Sequence, residues 1–137
     1  MYEVFEHTAD LGLRVTAPSC EALFAEAGRG LFSLFVAEGS IVGNTEEREF
    51  ELNETELPFL FFDWLSELLH LFETEDVLLS EFHVRLTPTG LTAVVRGEKV
   101  DRERHRLEHE VKAITYHQLK VEEHTDGGWA AEVIVDI

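Results

Sequence analysis

The chain has 137 residues, 45% of them hydrophobic, and carries 11 basic against 28 acidic residues, for a formal net charge of −17. Nucleic-acid binding depends largely on Lys and Arg neutralising phosphates, so direct binding to RNA or DNA is not expected. The acidity favours a cation or a basic protein surface as partner, or serves only solubility or adaptation to heat or salt.

Side-chain periodicity predicts seven strands and two helices in the order β-β-α-β-α-β-β-β-β. In chain order these are strands Tyr2–His7 and Leu11–Thr16, a helix from Ser19 to Gly39, strand Arg48–Leu52, a helix from Thr55 to Phe72, and strands Phe82–Leu86, Leu91–Arg96, Ala113–Glu122 and Trp129–Ile137.

The two predicted helices differ in how much of their surface is apolar. Ser19 is a good N-cap for the first helix, and Gly39 is predicted to end it. Gly28 and Gly30 each cost this helix about 1 kcal/mol relative to Ala, which close packing on a sheet would explain. The apolar stripe of the second helix is so wide that we expect burial on most sides.

Turn residues separate the last strands. Pro88-Thr89-Gly90 and Asp126-Gly127-Gly128 predict two hairpins, with a charged, irregular connector at Asp101–Arg106 between them. Helices that separate runs of strands predict an α+β fold, a two-layer α/β sandwich with a mixed, mostly antiparallel sheet and both helices on one face. The length predicts one domain, residues 1–137.

Three further classes of protein are not expected. No apolar run approaches the roughly 20 residues that span a bilayer, and no signal peptide is visible. A single cysteine, Cys20, excludes an internal disulfide and a cysteine-based zinc site. We therefore predict a cytoplasmic protein that does not contact membranes.

The last strand is the first candidate for chemistry. Trp129, Ala131, Val133 and Val135 share its core face, and Asp136 lies on the other face. A strand that stays apolar to its final residue places the Asp136 side chain beside the terminal carboxylate of Ile137, and hard cations take such oxygen ligands. The alternative is an ordinary solvated terminus.

Two further segments carry candidate residues. In His7-Thr8-Ala9-Asp10, the aspartate either binds a ligand or satisfies backbone amides of a tight loop. In the segment from Glu110 to His117, Lys112 neutralises carboxylates, engages a phosphate, or pairs with Glu110 at a strand edge.

Other patterns are weaker. His105 and His109 have the spacing of a helical zinc pair, but a third ligand is missing and arginines surround them. Cys20 has no basic neighbour in sequence, so we expect it to be inert. There is no glycine-rich phosphate loop, nucleophile elbow or HExxH motif.

Together, the HTAD-Leu-Gly opening, the EVKAITYH segment and the terminal Asp-Ile resemble the archease family over essentially the whole chain. The resemblance implies a non-catalytic activator of the RNA-splicing ligase, which joins RNA ends carrying a 2′,3′-cyclic phosphate or 3′-phosphate to a 5′-hydroxyl. It implies that the protein promotes guanylylation and multiple turnover of that ligase in tRNA splicing or RNA repair.

The resemblance also implies where the site lies. Asp10, Asp136 and the carboxylate of Ile137 match the metal ligands of the family, with calcium expected and manganese or magnesium as alternatives. Lys112 matches a functionally important lysine, while His7, Glu110 and His117 fall within family motifs. A small metal-dependent hydrolase that uses Asp10, Asp136 and a histidine base, and a metal-free scaffold, are the alternative functions.

Overall fold

A computed structural model describes residues 1–7 and 10–137 of the chain, so the predicted connection Thr8-Ala9 lies outside the described residues. The described part contains eight strands and two helices. In chain order they are β1 Tyr2–His7, β2 Asp10–Ala17, α1 Cys20–Phe35, β3 Glu46–Asn53, α2 Leu57–Glu75, β4 Val77–Thr87, β5 Gly90–Lys99, β6 Ala113–Ile114, β7 Lys120–Glu123 and β8 Trp129–Asp136.

The strands form two sheets. One has the order β1-β2-β8-β6, with β7 also pairing β8, and the other has the order β3-β5-β4. All strand pairs formed by the described residues are antiparallel. The predicted α+β class is confirmed, but the strands divide into two sheets rather than the single sheet predicted, because alternation shows which face is buried and not which strands pair.

Helix α1 packs between the two sheets. A Cβ atom on Gly28 would lie 2.7 Å from the Phe82 ring of β4, and one on Gly30 would lie 2.6 Å from Leu13 of β2. The predicted close packing is therefore confirmed, with one glycine facing each sheet. Both helices contact strands of both sheets.

The ends of α1 follow local chemistry. Ser19 Oγ accepts a hydrogen bond from the backbone N–H of Ala22 at 3.1 Å, which confirms the predicted N-cap. The helix ends at Phe35, four residues before the predicted stop. Gly39 instead occupies a turn at φ 89°, where the Ser40 N–H donates to Ala37 O.

Helix α2 is buried along one side, while Phe59, His70, Glu73 and Thr74 on the other side are exposed, so the predicted burial on most sides was too extensive. Trp64 is fully buried, and its indole N–H donates to Phe24 O at 2.8 Å, which satisfies the one polar atom of a large core side chain. Its other buried positions are Leu60, Phe61, Leu65, Leu68, Leu69 and Leu71. Neither helix of the described residues has the length and apolar character needed to cross a membrane.

The prediction of one strand over 113–122 was wrong. Two short strands, β6 and β7, pair with opposite ends of β8, and a turn separates them. In that turn the Leu119 N–H donates to Tyr116 O, and Gln118 adopts a φ of 56°. Apolar alternation continues through the turn, so periodicity alone did not reveal it. The hairpin turn at Asp126-Gly127-Gly128 is confirmed, with Gly127 at φ 90°.

Candidate functional site

The register of the first sheet brings the two acidic candidates to adjacent strand ends. Leu11 of β2 pairs with Val135 of β8 in antiparallel register, and Asp10 and Asp136 are the next residues on these strands. Leu11 and Val135 are buried in the core, so the alternation of a strand turns Asp10 and Asp136 to the opposite face. Directly opposed Cβ atoms lie about 4.5–5.5 Å apart, a separation at which two carboxylates can share one cation.

Lys112 joins this end of the sheet through its backbone. Its N–H donates to Asp136 O at 2.7 Å, and the following residue, Ala113, pairs with Asp136. The Lys112 side chain is exposed, and within the described part of the chain it forms no ion pair with Glu110. The predicted proximity of Lys112 to the acidic pair therefore rests on strand pairing.

Two histidines of the predicted set also come together. His7 pairs with Asp10 in the register of β1 with β2, and its ring lies 5.2 Å from that of His117, centroid to centroid. The amide nitrogen of Gln118 lies 3.2 Å from His7 Nε2. The Nδ1 atom of His7 is buried and has no hydrogen-bond partner among the described residues.

Gln118 had no functional signal in the sequence, whereas Gly12 belongs to the HTAD-Leu-Gly motif. Gln118 lies in the turn between β6 and β7 that periodicity did not reveal, and there its amide contacts His7 of β1. Gly12 lies directly under the Phe5 ring, which occupies the space a side chain on Gly12 would need. The Arg14 guanidinium lies 4.4 Å from the centroid of the same ring and forms an ion pair with Glu132. The outer face of β2 at Gly12 is therefore packed rather than open.

Glu110 is the predicted residue for which the structure shows no side-chain contact at the site. It is exposed and forms no side-chain hydrogen bond or ion pair among residues 1–7 and 10–137. Its successor Val111 is buried in the core and anchors the segment that carries Lys112. Packing at Val111 therefore accounts for part of the pattern in this motif.

The fit of this site to a metal can be judged from its donors. Among the described residues, no three His, Cys, Asp or Glu side chains are placed to hold a metal ion together. Asp10 and Asp136 supply two carboxylates, so a cation here needs other oxygen ligands, such as a main-chain carboxylate and water. Ile137 is partly buried and packs against the core, which restrains the main chain beside Asp136. The donor set fits a hard cation under that condition.

His105 and His109 do not form a helical zinc pair, and Cys20 is not a reactive thiol. His105 is 2% exposed and bonds Glu98 and the Asp101 N–H, while His109 is exposed, and no helix joins them. Burial, together with the negative charges of Glu21 and Glu123, raises the pKa of the Cys20 thiol to about 11. A thiol that stays protonated at neutral pH is a poor nucleophile, as predicted.

Comparison with known proteins addresses the whole chain. Residues 2–137 match the model of the Archease protein family. An archease of Methanosarcina mazei is 40% identical over 141 residues, which cover 99% of this chain and 95% of that protein. The chain belongs to the archease family. An archease of Methanopyrus kandleri is likewise 40% identical, with 99% of both chains covered.

A solved structure agrees with this assignment. The solution structure of protein 1598 of Methanobacterium thermoautotrophicum has a TM-score of 0.86 with this chain at 34% identity, and the match covers 99% of this chain and 98% of that one. The archease resemblance predicted from three motifs is confirmed. The relatives are named as archeases, and their names state no catalytic activity.

Proposed function

We propose that this archease activates an RNA-splicing ligase, promoting its guanylylation and multiple turnover without catalysing a reaction itself. The observation that carries the proposal is the strand register, which gathers Asp10, Asp136 and the Lys112 backbone at one end of the first sheet. Two carboxylates beside an exposed lysine suit a site that presents a cation and contacts a nucleotide phosphate or a carboxylate of the ligase.

In this proposal Asp10, Asp136 and the main-chain carboxylate of Ile137 hold one divalent cation, with calcium expected. When bound, such a cation supplies a positive charge that stabilises phosphate oxygens. The chain itself contributes the rest. The Lys112 N–H bond to Asp136 O fixes the backbone of Asp136, and packing on the core restrains Ile137.

The activity test is ligation by the cognate ligase under multiple-turnover conditions, with the archease in substoichiometric amounts. We expect more ligated RNA per ligase and faster ligase guanylylation. Lys112→Gln should lose most of this activation. Lys120→Gln should keep it, because Lys120 lies beside Glu132 in a surface ion pair away from the acidic ends. Unchanged guanylylation and turnover on addition of the wild-type protein would sink the activator role.

The metal site has a separate test that needs no ligase. Calorimetric titration with calcium should show one site, which Asp136→Asn and a short extension after Ile137 each abolish. Glu122→Gln is the control, because Glu122 is exposed and lies on β7. If both variants bind calcium as the wild type does, the proposed ligand set is wrong. Hydrolysis of a generic phosphoester that disappears in His117→Ala would contradict the non-catalytic role.

A further inference from the structure

Three aromatic rings form an exposed cluster where α2 meets the β6–β7 turn. Tyr116 stacks on Phe62 with centroids 4.0 Å apart and an interplanar angle of 11°, and Phe59 meets Tyr116 edge-on at 6.1 Å. Tyr116 is 59% exposed and Phe59 is 44% exposed. Stacking on Phe62 holds the Tyr116 ring in place while its exposed surface stays in water. Rigid, exposed aromatic side chains of this kind are typical of the centres of protein interfaces.

Acidic side chains flank these rings. Asp63 lies one helical turn after Phe59 on α2, a spacing that makes the two side chains neighbours on the helix surface. Burial and the nearby charge of Glu54 raise the pKa of Asp63. Within the described part of the chain, neither Asp63 nor Glu54 forms an ion pair with a basic side chain. Their negative charge is therefore not compensated within that part.

We propose that the aromatic–acidic patch, formed by Phe59, Phe62, Tyr116, Glu54 and Asp63, binds a basic surface of the partner ligase, with an arginine or lysine of the ligase over the Tyr116 ring. A cation over an aromatic face is attracted by the ring quadrupole, and Arg is the more frequent partner. The same cation neutralises the flanking carboxylates. This inference rests on the proposed function, because it names the surface through which the activator reaches its ligase.

Charge decides between the possible occupants of the patch. Single-stranded RNA also stacks on aromatic rings, but its phosphates would meet Asp63, Glu54 and a chain of net charge −17. A second copy of this chain carries the same negative charge, so self-association at an acidic patch is opposed. A basic protein surface satisfies both the rings and the carboxylates.

The patch is also continuous with the proposed metal site. Tyr116 follows Lys112 by four residues, which span at most about 14 Å of extended chain. Between them, the Thr115 N–H and Oγ1 both bond to Ile134 O of β8, at 3.1 and 2.7 Å. One face of a ligase can therefore contact the patch and the acidic strand ends together.

The test measures ligase activation against archease concentration. Tyr116→Ala and Phe59→Ala should each raise the half-maximal concentration at least about tenfold and leave the maximal activation near the wild-type value. Asp63→Asn should slow association with the ligase and weaken its salt dependence. Ile41→Ala is the matched control, because Ile41 is an 81% exposed apolar residue outside the patch, and its curve should overlay the wild type.

Three controls keep the outcomes separate. Calcium titration and circular dichroism of Tyr116→Ala should match the wild type. Tyr116→Phe keeps the ring, so its half-maximal concentration should equal that of the wild type. Variants that activate at wild-type concentrations would overturn the docking surface while leaving the activator role intact. Fluorescence anisotropy showing RNA binding that depends on Tyr116, or a dimer that Tyr116→Ala disrupts, would overturn it in favour of those occupants. Absence of activation by the wild type would instead contradict the proposed function.

Discussion

At the residue scale, the ring of His105 organises the connector that leads to Lys112. Its Nδ1 atom accepts the Asp101 N–H at 2.9 Å, so the proton lies on Nε2, which is 2.5 Å from a Glu98 oxygen. Glu98 also accepts a hydrogen bond from Arg104 at 2.9 Å. Burial opposes the ionisation of Glu98, but the bonds from Arg104, the Gly43 N–H and His105 outweigh it and lower the pKa of Glu98. His105, one of the two histidines whose spacing suggested a zinc pair, therefore belongs to a structural network.

Replacing Glu98 by Gln should reduce the acid sensitivity of the fold. The pKa of Glu98 is lower in the folded state than its ordinary value of 4.5. The unfolded chain therefore binds the proton more readily than the folded chain. The stabilisation from ionised Glu98 is complete above the ordinary pKa and is lost as the pH falls through the lowered pKa of the folded state. At pH 7, Glu98→Gln should lower the free energy of unfolding by about 1–3 kcal/mol. Between pH 7 and pH 3, urea unfolding should show that this free energy falls less steeply in the variant than in the wild type.

The matched control for this experiment is Glu103→Gln, because Glu103 is an exposed acidic residue of the same connector. It should keep the wild-type dependence on pH. If the free energy of unfolding of Glu98→Gln falls with pH as steeply as that of the wild type, the network is not the source of the acid sensitivity.

At the element scale, the turn between β6 and β7 places two side chains that a continuous strand would have displaced. Gln118 lies in the left-handed region at φ 56°, inside the turn that separates β6 from β7 while both strands run antiparallel to β8. The His117 N–H donates to Thr115 Oγ1 at 3.2 Å and tightens the same turn. In this turn His117 lies against His7, and Tyr116 stacks on Phe62 of α2. The turn therefore shapes both the candidate site and the docking patch.

Substitutions at Gln118 test this turn. Gln118→Gly and Gln118→Val remove the same amide contact with His7, but only glycine adopts positive φ without steric cost. We expect the valine variant to be less stable than the glycine variant by about 1–2 kcal/mol in urea unfolding. Equal stability of the two variants would mean that residue 118 does not hold the left-handed conformation in solution.

At the scale of the whole molecule, a few local ion pairs neutralise only part of the negative charge of the acidic residues. Among the described residues, six Lys and Arg side chains lie within 4.0 Å of carboxylates, namely Arg14, Arg29, Arg48, Arg96, Arg104 and Lys120. Such exposed pairs contribute little to stability. The remaining negative charge repels itself throughout the folded chain, so long-range repulsion is the larger electrostatic effect.

Monovalent salt should therefore stabilise this protein at neutral pH. Raising sodium chloride from about 20 mM to about 0.5 M shortens the screening length to a few ångströms, and the melting temperature should rise. Glu49→Lys should melt higher than the wild type in low salt and gain less from added salt, because the exposed Glu49 contributes to the net charge of −17. A fall in the wild-type melting temperature would show that the ion pairs dominate.

The sequence alone determined the α+β class, most strand and helix positions, the apolar face of the second helix and the archease motifs, because these depend on periodicity, caps and residue identity along a short stretch of chain. Only the tertiary structure decided that the strands form two sheets, that Gly28 and Gly30 face different sheets, and that a turn at Gln118 divides a predicted strand. The same holds for the acidic pair. Asp10 and Asp136 are far apart in sequence, and the antiparallel register of β2 with β8 places them at neighbouring strand ends. Pairing between distant strands is a non-local contact, and local pattern carries no information about which strands will pair.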